Sequence, residues 1–209
     1  MNFAVAAPLA AGLTAGLLAA GLQTASSGPV AAQVSTSERT ESGELTLATG
    51  DLETYRIRLL PVASFPELPT AISSQLLSRG CMIPQSFEAQ QPENVIHGSF
   101  RAQASSDWAV LCSVHGATTL YVFFAGQFDA PVAVRSQADT AWLGSEPGGV
   151  IFGSAWGITT RSAANLRETR QLHGAAPFDH DGIEDARLER SITVRYWQDG
   201  HWLAIGVQE

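Results

Sequence analysis

The densest run of groups able to do chemistry is Asp179-His180-Asp181-Gly182-Ile183-Glu184-Asp185. The spacing D-x-D-G-x-x-D puts three carboxylates around a glycine, and calcium takes oxygen ligands of this kind with a backbone carbonyl between them. Asp179, Asp181 and Asp185 are therefore the candidate ligands for a Ca²⁺ cofactor. The run lacks the earlier Asp of a full calcium loop and its downstream bidentate Glu, so Glu184 or Glu189 would have to complete the shell. The competing reading is an acidic turn in which Asp179 and Asp181 cap the backbone and Gly182 supplies a positive φ.

Other chemistries find less. The histidines are His97, His115, His173, His180 and His201, and no two stand at the i, i+4 spacing of a helical zinc site. There is no C-x-x-C and no G-x-S-x-G, so neither a redox dithiol nor a nucleophile elbow is expected. No catalytic residue is assigned. Trp197 and Trp202 flank an Asp199-Gly200 turn and would face each other across a hairpin. Two readings are open for this pair: a stacking surface for a glycan or peptide, or a packed cross-strand pair under a loop.

The only cysteines are Cys81 and Cys112. In an oxidising compartment an isolated pair tends to bridge, and the alternative is two buried thiols. Export is expected from residues 3–22, which carry no charge, and from the small residues Val30-Ala31-Ala32 before Gln33. Residues 1–32 read as a signal peptide, with a retained anchor as the alternative. The formal net charge is −8 and every cation is arginine, which disfavours nucleic acid and anionic membranes as partners.

The elements that must hold these residues follow from periodicity. Residues 33–50 are rich in Ser, Thr, Gly and Glu and read as a flexible linker, leaving 51–209 as one globular domain. An extended segment is expected at Tyr55–Val62. A helix follows, opened by Pro69 and stopped by Gly80, with Ile72, Leu76 and Leu77 on one face. Asp107–Val114 and Ala117–Phe124 flank His115-Gly116 and form a hairpin pairing Leu111 with Leu120 and Trp108 with Phe123. Both its faces are apolar, so it is expected at a sheet centre covered on both sides, with the helix on the Cys112 face. Residues 128–157 read as short strands and loops, and 162–173 as a polar surface helix. The closing hairpin pairs Ile192 with Val207, Val194 with Ile205, Tyr196 with Leu203 and Trp197 with Trp202.

Together these predict an α+β domain, an antiparallel β-sheet meander with one or two packed helices. The segments RGCMIPQ, PENVIHGSF, DWAVLCS and DHDGIEDA resemble those of a group of exported bacterial proteins, a resemblance that implies export and brings no activity with it. Separately, Gly98-Ser99-Phe100 and Asp107-Trp108-Ala109-Val110 resemble one blade of an FG-GAP or VCBS-type β-propeller. Residues 101–106 hold no carboxylate where that family has its calcium loop, and a propeller needs at least four blades, so the resemblance implies a β-meander and not the family's ligands. The expected function is an exported accessory or binding protein acting on a protein or glycan partner, with an envelope hydrolase as the alternative.

Overall fold

A computed structural model describes residues 37–207 except Ala48. The expected signal segment, residues 1–32, lies outside the described residues. The chain runs through β1 (Arg39–Thr46), β2 (Leu52–Pro61), α1 (Thr70–Ser78), β3 (Met82–Pro84), β4 (Val95–Gly98), β5 (Asp107–Val114), β6 (Ala117–Phe123), β7 (Val132–Ala138), β8 (Leu143–Gly144) and β9 (Ile151–Ser154). These nine strands form one sheet, in which β2 and β9 pair in parallel. A second, antiparallel sheet holds β10 (Trp156–Arg161), β11 (Gly182–Arg187), β12 (Ser191–Gln198) and β13 (His201–Val207), with α2 (Ala163–Glu168) between β10 and β11.

This architecture corrects the α+β expectation. The described chain is 48% strand and 12% helix, arranged as a β-sandwich-like pair of sheets and not as one meander with helices of equal weight. The error has a physical source. Alternating apolar and polar residues reveal a strand only when one face is buried. Strand β1 is exposed or half-buried along its whole length and is held by its ladder to β2, from Arg39↔Leu59 to Thr46↔Leu52. It occupies part of the stretch read as a flexible linker, which is corrected accordingly. Strands β7 to β9 fall in a Pro- and Gly-rich stretch whose pattern is equally weak.

Where burial does mark the chain, residues and structure agree. The β5–β6 hairpin pairs Leu111 with Leu120 and Trp108 with Phe123, around His115 and Gly116 at φ 51° and 80°. Its two apolar faces feed two cores. One face (Val110, Cys112, Phe123) packs on Ile72 and Leu76 of α1, and the other (Ala109, Leu111, Leu120, Val122) packs on Trp156, Ile158 and Ile183 of the second sheet. Leu111 is fully buried, and its truncation to Ala costs about 2–5 kcal/mol.

Helix α1 ends in a Schellman motif: Cys81 N–H bonds Leu76 O, Gly80 N–H bonds Leu77 O, and Gly80 has φ 72°. The Cys81–Cys112 disulfide, with Cα atoms 5.3 Å apart, then ties this helix end to the centre of the first sheet. The segment expected as a polar surface helix is shorter than its 162–173 reading and not purely superficial. Leu166 of α2 and Leu172 beyond it are fully buried against Val194, Tyr196 and Val207, the apolar face of the last hairpin.

Candidate functional site

Of the D-x-D-G-x-x-D carboxylates only Asp185 lies in β11; Asp179 and Asp181 precede the strand, and the three have different surroundings. Asp181 joins two segments: one oxygen accepts from Ser99 N–H at 2.9 Å, the other from Ala163 N–H, the first residue of α2, at 3.1 Å. Asp179 is 70% exposed and accepts from the Tyr196 hydroxyl at 2.8 Å, while its own N–H donates back to that oxygen at 3.0 Å. Asp185 points between the sheets, where it accepts from Trp156 Nε1 at 2.8 Å and from Arg195 Nε and Nη2 at 2.8 and 2.7 Å. The three carboxylates do not converge, and no trio of His, Cys, Asp or Glu among the described residues could hold a metal ion. Gly182 is needed for space and not for a positive φ. A Cβ there would lie 3.2 Å from Arg195 O, Leu166 Cδ1 and Val194 Cγ1.

His180, between the first two aspartates, is locked. Its ring stacks on Tyr196 with centroids 4.3 Å apart, and its two nitrogens each lie 3.0 Å from a backbone carbonyl oxygen, those of Asp181 and Trp197. Burial, reinforced by the bond to Asp179, pushes the Tyr196 hydroxyl up to about 12. These groups line a cleft of about 300 Å³ together with Arg101 and Gln198, and Asp179, His180 and Tyr196 contact one another within it. The Trp pair is formed in the expected register, with centroids 5.3 Å apart. Trp197 sits 5.0 Å and Trp202 6.2 Å from Phe124, and Arg101 lies over the same Phe ring. The pair thus serves as packing between sheets rather than as a free stacking platform.

Three groups given no anchoring role in the sequence reading organise the molecule. Asp107 is fully buried and accepts from Arg101 N–H, Ala125 N–H and the Ser105 hydroxyl, so it shapes two loops. Asp139 accepts from Ser113 and Thr118 hydroxyls beside the β5–β6 turn. Asn94, buried at φ 70°, joins the sheets. Its amide donates to Pro84 O and Trp156 O at 2.8 and 3.2 Å and accepts from Ile158 N–H at 3.0 Å. Against β10 the side chain therefore acts as a missing strand partner. An Asn before an apolar pair carries no pattern that announces this.

Asn94 also ends the loop over a cleft of about 450 Å³, between residues 86–93 and the outer face of β10 and β11. Pro92, Ala186 and Leu188 form apolar walls, and Glu88, Glu93 and Glu184 bring carboxylates; no Arg or His is among the described lining residues. Glu93 is positioned by Ser86 N–H at 2.7 Å and Glu184 by Arg161 at 3.1 Å, while Glu88 is exposed. The loop is itself clamped, since Gln85 exchanges side-chain bonds with both backbone groups of Glu93. Among the described residues no helix is long and apolar enough to cross a membrane, and the disulfide is compatible with an exported protein. No family model, curated protein or solved structure matches the chain.

Proposed function

We propose that this chain is an exported, non-enzymatic accessory protein of the periplasm or extracellular space, and that it holds a basic segment of a partner protein in the cleft under residues 86–93. The observation carrying this reading is the cleft wall: apolar side chains with three carboxylates and no lining cation. Such a wall suits the aliphatic stem and charged head of Arg or Lys. A protein partner is favoured over a glycan because no aromatic face lines the cleft. The cleft is clamped by Gln85 and Asn94, so it is largely formed before a ligand arrives.

The test is a titration of the ¹⁵N-labelled protein with synthetic peptides of alternating Leu and Arg, against Leu/Glu controls. Saturable shifts confined to residues 86–94, 157–159 and 184–188, weakened by Glu88→Gln and Glu93→Gln, support the reading. Equal response to the Leu/Glu peptides, or none to either, overturns it. The competing reading, an envelope hydrolase, draws on Asp179, His180 and Tyr196 in the smaller cleft. Turnover of p-nitrophenyl esters or glycosides that is lost in Asp179→Asn would favour it.

A further inference from the structure

The inner face of the second sheet carries more positive charge than it has partners for. Asp185 and Arg187 are two apart on β11 and share that face, and Arg195, opposite Ile183 on β12, joins them. Arg135 comes from the first sheet. A β-bulge between Leu120 and Tyr121 places it opposite Leu120, whose side chain faces the second sheet. Bulges of this kind re-aim a side chain. Here the bulge brings a guanidinium to 3.5 Å from Asp185 and to 4.0 Å from the centre of the Trp142 ring.

Two guanidiniums, those of Arg135 and Arg195, therefore share one carboxylate, and Arg187 on the same face has no ion pair among the described residues. Asp185 is the only acidic group within ion-pair distance of any of them among the described residues, and one of its oxygens is already taken by Trp156. The donor count is unbalanced in the same sense. Arg187 Nε is buried with no hydrogen-bond partner, and buried polar groups are normally satisfied. The cluster is still reachable. The side chains of Arg135 and Arg195 are 28% and 16% exposed. Ala204 and Gly206, on the same face of β13 opposite Arg195 and Thr193, are exposed, and a Cβ on Gly206 would meet nothing within 4 Å. The sandwich is thus open along β13, beside the arginines.

We propose that Arg135, Arg187 and Arg195 form an oxyanion-binding site at this opening, for the carboxylate, sulfate or phosphate group of an anionic ligand. Guanidinium forks match such groups in a bidentate manner, and a half-buried setting strengthens the contact. Asp185 is the positioning residue: it holds Arg195 from two nitrogens and leaves the remaining donors for the ligand. The site stands apart from the acidic cleft and does not depend on it, since that cleft lies on the opposite face of β11.

The experiment follows the arginine Nε–H and tryptophan indole resonances of the full chain during titration with inorganic phosphate, inorganic sulfate and galacturonate at constant ionic strength. Saturable shifts in Arg135, Arg187, Arg195 and the Trp156 indole with any of these support the proposal, and the anion that saturates at the lowest concentration names the source. Linear drift in all arginines alike, or no shift, overturns it. Arg187→Gln, which removes no ion pair, should weaken saturable binding about tenfold, as expected for one charge-assisted contact. Unchanged affinity in that variant, with a native spectrum, would overturn the role given to Arg187. If the variant fails to fold, the wild-type titration still decides.

Discussion

Asn94 gives the sharpest test of how the two sheets are joined. Replacing it by alanine removes three side-chain bonds and leaves Pro84 O, Trp156 O and Ile158 N–H without those partners. At about 1 kcal/mol per bond the loss is about 3 kcal/mol. Alanine at φ 70° adds about 1 kcal/mol of left-handed strain that Asn tolerates better. The expected cost is about 4 kcal/mol, a large part of the 5–15 kcal/mol typical of a domain. With a urea slope of about 2 kcal/mol per molar, the unfolding midpoint should fall by about 2 M. Tryptophan fluorescence follows it, since Trp156 is buried at the same junction. Asn94→Asp separates hydrogen bonding from volume. It keeps the shape and the acceptor for Ile158 N–H, loses both donors, and sets a carboxylate against two carbonyl oxygens. It should therefore destabilise at least as much as alanine. A cost below about 1 kcal/mol for alanine, against the sum above, or a near-neutral aspartate, would refute the reasoning.

Three further outcomes are expected. The Tyr196 hydroxyl is held up at about 12, above its ordinary 10. The stability of its neutral form is fully present below about pH 10 and is lost as pH rises towards 12, with a slope of up to about 1.4 kcal/mol per pH unit. Tyr196→Phe should remove that component of the alkaline loss and cost about 1 kcal/mol at neutral pH, read by denaturant titration at several pH values. Reducing Cys81–Cys112, 31 residues apart, should lower stability by about 3–4 kcal/mol by the chain-entropy argument, and a midpoint unmoved by reductant would contradict it. Millimolar calcium should leave the melting midpoint unchanged, because Asp179, Asp181 and Asp185 serve separate partners. Asp181→Asn should instead loosen the junction of Ser99 with α2, seen as faster amide exchange at Ala163.

The residues alone determined what depends on local chemistry and on one buried face. The register of both hairpins, the Gly80 stop of α1, the packing of that helix on the Cys112 face and the proximity of Cys81 to Cys112 all follow from period-2 alternation, turn residues and spacing. Alternation in Ile192, Val194 and Tyr196 required a cover for that face, and Leu166 and Leu172 supply it. Tertiary structure decided the rest. Strand β1 has no buried face to advertise it, so only its ladder to β2 makes it a strand. D-x-D-G-x-x-D reads as a metal loop because spacing cannot tell a turn from the start of a strand. In β11, Asp185 turns inward to Arg195 while Glu184 turns outward to Arg161. The meeting of Arg135 with Asp185 joins residues 50 apart through a one-residue bulge, and no local pattern encodes a contact between two sheets.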